Sequence, residues 1–576
     1  KPRLLTTLRE LAPKGLWACS RGVVSLLPKG CEPARLECWA GIDLKDCNIL
    51  KKNSLGCKIT IIHTIKQTMT HLRIIRQTLL WAASLFITSA AQAQIVFADY
   101  SDPDVCEGTD GDYWLTASSF QCTPGLPILH STDMAEWTLV GYALDNIVPR
   151  ERYDAVQHGC GVWAPCIRRH GDTYYIFWGD PDYGIYMVKT DNPAGRWDEP
   201  VLVVEGKGLI DPSPLWDEDG RVYLINGWAN SRCGFNSVLT LRELSADGTR
   251  AIGQPIIVYD GLQTGDHTIE GPKLYKKNGY YYILAPAGGV AQGWQLALRS
   301  RSVYGPYERK VVYDKDGIHQ GGWAGDSFIC FKEIGAYGRV LHRLGIEMKD
   351  GWPMMKQGRE DKAARLRYAR PSLAYQWHAN YTEASGFATA DGCRVYGHYV
   401  GSDFVNLWSV PNLYLKKVEG ETCTDTLRTT ISATADGQQS GLVIMGRSYC
   451  RIAFILSDGR FAVARSICQD ADQGGKEVME KIATVDAHRF NAGAKDCYTC
   501  DVTFLLRYKK GVVCSLSYSV NGEPYTEAVD GYQAREGKWI GAKYGVYSLA
   551  PEGGGKGWID LKYKLSPDAH RVKRNK

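Results

Sequence analysis

The chain has 576 residues, 44% hydrophobic and 11% aromatic, with a formal charge of +5. That length exceeds what one hydrophobic core usually serves and implies two or three domains. Long heptad or 3.6-residue periodicity is nearly absent, which excludes a coiled coil or helical bundle, and the Gly pattern favours an all-β protein.

Residues 1–68 hold 12 Lys/Arg against 5 Asp/Glu and no methionine; the first is Met69. From there MTHLRIIRQTLLWAASLFITSAAQA has a basic start, an apolar run from about Leu79 to Ile87, and Ala91-Gln92-Ala93 as a small-residue cleavage site. This is the pattern of a secretory signal, and its apolar run is too short to span a bilayer. Residues 1–68 are therefore read as upstream extension, 69–93 as a signal peptide, and the protein as exported, periplasmic or extracellular. Residues 1–93 carry 14 Lys/Arg and 5 Asp/Glu, so the remainder has a net charge of −4. Such a surface recruits neither nucleic acid nor an anionic membrane. Thirteen of the 18 cysteines follow residue 93. Export permits disulfides, but an odd count leaves a thiol over, and Cys497-Tyr-Thr-Cys500 has no second pair to make a metal site.

From residue 94 to about 360 five units of roughly 50 residues follow one another, the blade length of a β-propeller. Their turn regions are DGDYWLTASS, HGDTYYIFWG, DGRVYLINGW, NGYYYILAPAG and GDSFICFKE. Asp-Gly and Asn-Gly between β-prone runs signal hairpins, because a type I′ turn needs positive φ at both central residues. Asp102 stands nine residues before Gly111, Asp211 nine before Gly220, Glu270 nine before Gly279, and Trp163 eight before Gly171. The shared offset predicts that each leading residue opens an equivalent inner strand, so that three carboxylates converge at one mouth of the channel. Asp99 and Asp104 flank the first of them without holding the offset.

SDPDV, VWAP, LIDPSPLWDEDGR, TIEGPKLYKKNGYYYILAPAGG, HQGGW and GAYGR resemble glycoside hydrolase family 43, over almost all of residues 94–360. The resemblance implies a five-bladed propeller and an inverting enzyme, mostly α-L-arabinofuranosidases and β-xylosidases. It implies Asp102 as general base, Asp211 as the anion that tunes and orients the acid, and Glu270 as general acid. Inversion needs one carboxylic acid on the leaving oxygen and one carboxylate activating water on the opposite ring face, about 6.5–9.5 Å apart. Arg339 in GAYGR resembles the family's sugar-binding arginine. His319 in HQGGW matches a histidine that in the family lies on the propeller axis and often helps hold a hydrated calcium. A buried histidine bonded into the substrate network is the other reading. No cofactor is required for the chemistry. Phe120 and Trp163 wall the sugar site or fill blade core, and Asn236 is a further contact candidate. Only WAGDSFICFKEI separates HQGG from GAYGR, so blade five looks trimmed.

Residues 361–367 are charged and mark a linker. From 368 to 565 alternating strand runs are separated by SDG, KKG and VNG turns, the pattern of an antiparallel β-sandwich. GLVIMGRSYCRIAF and REGKWIGAKYGVY resemble the concanavalin-like C-terminal domain of the family's β-xylosidase branch. That domain is expected to pack beside the propeller and shape its pocket rather than bind polysaccharide by itself. Residues 566–576 form a basic tail. The whole reading is an exported, inverting exo-glycosidase that removes terminal pentoses, arabinofuranose ahead of xylose, from plant cell-wall polysaccharide or its oligosaccharides. A non-catalytic sugar-binding propeller is the rival.

Overall fold

The computed structural model describes residues 93–315, 317–357, 366–492, 495–551 and 557–564. The upstream extension, most of the signal peptide, most of the linker and the basic tail lie outside them. All described residues belong to one compact unit, Ala90–Lys576.

Five antiparallel sheets form the propeller blades. Blade 1 runs through Asp104–Glu107, Tyr113–Thr116, Gly125–Ser131 and Thr138–Leu144. Blades 2, 3 and 4 open on the inner strands Trp163–His170, Leu209–Trp216 and Lys273–Lys277, and each has four strands in sequence order. Blade 5 opens on Ile318–Ala324 and is not trimmed. Its strand Arg339–Lys349 is eleven residues long and pairs along one half with Ala93–Asp99 and along the other with Trp352–Gln357. The short hairpin is compensated by that long third strand, and the first strand of the domain closes the ring. Closure leaves few unpaired sheet edges.

The entrance to each inner strand follows one local rule. Asp102, Ala164, Asp211, Gly271 and Gln320 all have left-handed backbone, with φ of 51°, 37°, 55°, 58° and 21°. In the first four a proline comes next, and in the fifth Gly321. Proline cannot donate to a sheet ladder and is confined to bulges and strand starts. The pairing registers of blades 2, 3 and 5 break at this step. The repeat is therefore anchored by the left-handed residue. Asp102 and Asp211 occupy that position, whereas Glu270 stands one residue before it, level with Trp163 and His319. The equal offsets to the hairpin glycine conceal this one-residue difference.

The second domain is a sandwich of two eight-stranded sheets. Its largest apolar core joins Phe454, Phe504, Leu506, Leu442 and Val546 between them. It is tied into the propeller at several points. Arg367–Tyr368 adds to blade 1 as a parallel strand. Thr123 and Trp377 form a backbone bridge. Lys543, 5% exposed, places Nζ 3.0 Å from Gln376 Oε1 and 3.1 Å from Cys122 Sγ. All thirteen described cysteines are free thiols.

Candidate active site

A cavity of about 240 Å³ opens at the blade entrances and is lined by Asp102, Asp211 and Glu270 together with Phe120, Trp163, Asn236 and Arg339. Every residue singled out as catalytic or sugar-binding thus lies around one depression. His319 does not line it. It is 1% exposed, and its Nε2 lies 3.0 Å from Glu270 Oε1.

Asp102 is buried between two fixed partners. Ser118 Oγ donates to Asp102 Oδ2 at 2.7 Å and itself accepts from Ala164 N at 2.7 Å. Arg339 Nη1 lies 3.1 Å from Oδ1 and 3.3 Å from Oδ2. The Arg339 backbone N–H donates to Asp99 Oδ1 at 2.8 Å, so Asp99 supports the arginine's strand. Asp104 takes Arg168 Nη1 and the Ile167 N–H on Oδ2, away from the cavity. Neither neighbour of Asp102 competes for its position.

Asp211 accepts from the Gly271 N–H at 2.7 Å. Burial, reinforced by the charge of Glu270, pushes its carboxyl up to about 8, against the weaker opposing effect of that hydrogen bond. Asp211 therefore keeps its proton near neutral pH. The deeply buried Asp211 is thus not a free anion beside Glu270. Glu270 is the more accessible member, with a side chain 34% exposed. Gly227 is packed against both, since a Cβ there would stand 3.5 Å from Asp211 Oδ2 and 3.6 Å from Glu270 Cα.

Phe120 and Trp163 meet edge to face at 6.4 Å, and Trp163 Nε1 donates to Gly159 O at 2.9 Å. Both contribute to the cavity wall, and Phe120 is 2% exposed. The sandwich supplies a wall that sequence reasoning missed. Trp539, 44% exposed with φ of 65°, reaches the cavity from the loop after Gln533. Its carbonyl accepts from Ser101 Oγ at 3.2 Å, and the Arg339 guanidinium lies 5.5 Å from its ring centre. Gly541 approaches Gly338 so closely that a Cβ on Gly338 would stand 2.5 Å from Gly541 N. Two glycines facing each other let that loop lie flat on the propeller. Trp228, Asn230, Ser231 and Gln320 were also missed. For Trp539 the signal in the sequence was the KWIGA stretch, which marks the domain but not where its tryptophan points.

His319 Nδ1 is buried without a hydrogen-bond partner. Among the described residues no three His, Cys, Asp or Glu side chains gather to hold a metal. Calcium takes six to eight oxygens, so one imidazole nitrogen does not fit it, and the hydrogen bond to Glu270 suits the other reading of this histidine.

Comparison with known proteins bears on the family and the fold. The family model "Glycosyl hydrolases family 43" matches residues 92–317, and "Beta xylosidase C-terminal Concanavalin A-like domain" matches 366–564. A putative beta-xylosidase of Xylanibacter ruminicola is 29% identical over 486 residues, 77% of this chain and 84% of its own. A non-reducing end alpha-L-arabinofuranosidase of Bacteroides ovatus is 31% identical over 239 residues, 40% of this chain and 43% of its own. The solved xylan beta-1,4-xylosidase of Bacillus halodurans superposes with a TM-score of 0.67 at 19% identity, covering 82% of this chain and all of that one.

Proposed function

Since the chain belongs to glycosyl hydrolases family 43 and is a glycoside hydrolase, we propose that it is an inverting exo-glycosidase releasing a terminal pentose from hemicellulose or its oligosaccharides. The observation that carries this reading is the convergence of Asp102, Asp211 and Glu270 on one cavity of about 240 Å³. A depression of that size suits one sugar ring rather than a threaded chain.

Asp102, ion-paired to Arg339, accepts a proton from the attacking water. The Asp211–Glu270 pair supplies the opposing proton, and Glu270, its accessible member, delivers it to the leaving oxygen as the glycosidic bond breaks. His319 holds Glu270 from the buried side. Phe120, Trp163 and Trp539 meet the apolar faces of the sugar, and Arg339 meets its hydroxyls. No step calls for a metal ion. The secretory segment at 69–93 supports export to a compartment where cell-wall fragments are found.

We place α-L-arabinofuranose first. The β-xylosidase name of the relative aligned over 84% of its length favours D-xylose as the second reading. Assay of the two 4-nitrophenyl pentosides with one preparation decides between them: arabinofuranoside turnover is expected, and turnover of the xyloside alone reverses the assignment. For the reaction itself, Glu270→Gln is expected to lower turnover roughly 10³-fold while leaving ligand affinity within a few-fold. Unchanged turnover in that variant removes Glu270 from the role of acid, and absence of turnover in the parent favours a non-catalytic sugar-binding propeller. Proton NMR of the first-formed anomer tests inversion directly.

A further inference from the structure

The chain just ahead of Asp102 runs between the two domains. Val96, Ala98 and Tyr100, each no more than 1% exposed, belong to an apolar core of the propeller. Phe97 instead packs against the core of the sandwich. Side chains alternate between the faces of a strand, so this one stretch serves both cores. The sandwich also grips it at three points. Gly420 N–H donates to Phe97 O at 2.8 Å, Lys417 Nζ donates to Asp99 O at 2.5 Å, and Ser101 Oγ donates to Trp539 O at 3.2 Å.

The propeller holds the same stretch against Arg339. Tyr100 N–H donates to Arg339 O at 2.9 Å, and Arg339 N–H donates to Asp99 Oδ1 at 2.8 Å. Arg339 is also the residue whose guanidinium pairs with Asp102. The place of Asp99 to Ser101 therefore governs how the carboxylate of Asp102 meets that guanidinium.

Of the three contacts from the sandwich, the one made by Lys417 is the least explained by stability. In the pairing of Tyr414–Lys417 with Lys543–Pro551, Lys417 stands directly opposite Lys543. Like charges directly opposite in a sheet are destabilising. Lys543 is engaged with Gln376 and Cys122. The Lys417 ammonium lies 3.6 Å from the centre of the Tyr100 ring and caps the Asp99 carbonyl, which carries no net charge to offset that repulsion. What the contact secures is the position of Asp99, three residues ahead of Asp102.

We infer that Lys417 is a positioning residue for the reaction: from the sandwich it pins the stretch before Asp102 and so holds that carboxylate in register with Arg339 and the cavity. The second domain then acts on the base through the backbone of the first, apart from the wall it lends at Trp539. The inference rests on the reading of Asp102 as the base.

The test replaces Lys417 by methionine, which keeps an unbranched side chain and removes its charge and donor. For Lys417→Met, kcat/KM on the 4-nitrophenyl pentoside that the parent turns over is expected to fall about 10- to 100-fold, the scale on which an ångström of misplacement acts. The acidic limb of its kcat/KM profile, which reports the base of the free enzyme, is expected to move to higher pH, because a loosened Asp102 gives up part of the guanidinium's support. The melting temperature is expected to hold or rise, since the repulsion from Lys543 is gone. An unchanged kcat/KM overturns the inference. So does a uniform loss at every pH with the acidic limb in place. A variant that melts markedly lower, or fails to fold, also overturns it, because Lys417 is then a support of the fold. Full turnover by Asp102→Asn instead refutes the reading of the base, so the two failures are distinguishable.

Discussion

At the scale of single residues, the site depends on where a left-handed backbone can be held. Asp102 and Asp211 adopt φ above 50°, a conformation costly for most residues but tolerated by Asp. Both line the cavity from that left-handed position, and the proline after each cannot donate to the ladder. This is why the motifs were readable: an acidic residue before proline at a repeating distance has few structural uses. Glu270 was found for a partly different reason, since it precedes its left-handed residue Gly271 by one, yet it lines the same cavity. The state of Asp211 was not readable, because burial is a property of packing. Its raised pKa has a definite consequence. An unfolded aspartate ionises near pH 4, whereas this one holds its proton to about 8. The stability that Asp211 contributes is thus full below pH 4 and is lost as pH rises toward 8. Asp211→Asn cannot ionise, so its stability relative to the parent is expected to rise between pH 5 and pH 8 by at least about 1 kcal/mol, the worth of less than one pKa unit. Denaturant titrations at the two pH values check this. The parent's rate is expected to decline as pH passes about 8, and a pH profile flat through that region would contradict the proton held by Asp211.

At the scale of elements, the informative case is the loop that carries Trp539. Its sequence, REGKWIGA, reads as a turn between strands of the sandwich, and nothing local says that it reaches another domain. Three contacts send it there: Ser101 on the Trp539 carbonyl, Gly338 facing Gly541, and the Ala542 N–H on Ala336 O at 2.7 Å. A wall contributed by a loop of a second domain is not legible from periodicity, because the pattern of one strand does not encode its distant neighbours. Trp539→Ala is expected to raise KM about tenfold with a smaller change in kcat, since a ring this exposed contributes chiefly to holding the sugar. Steady-state kinetics separate the two, and an equal loss in kcat would assign the ring to the transition state instead. Melting should shift by no more than a few degrees, because the ring is nearly half exposed.

At the scale of the whole molecule, all-β architecture and the order of propeller and sandwich followed from turn spacing, because Asp-Gly hairpins at blade-length intervals have few other solutions. The contact between the domains was less accessible. Sequence placed a linker at 361–367, yet Arg367–Tyr368 is a strand of blade 1, and Lys543 is buried against Cys122 of the propeller. Linkers and strands of two or three residues look alike in composition. Domains joined by a backbone bridge and buried polar contacts should not come apart separately. Calorimetry is expected to show a single unfolding transition, and two resolved transitions would show that the sandwich is an independent attachment.

The strand Ala93–Asp99, paired with Arg339–Lys349, fastens the beginning of the propeller to its last blade. Asp102 follows that strand on blade 1, and Arg339 opens the strand opposite it on blade 5. The ion pair that seats the proposed base therefore spans the seam of the circle. Whatever loosens the clasp pulls apart the two halves of that pair, so catalytic output is itself a gauge of whether the circle is shut.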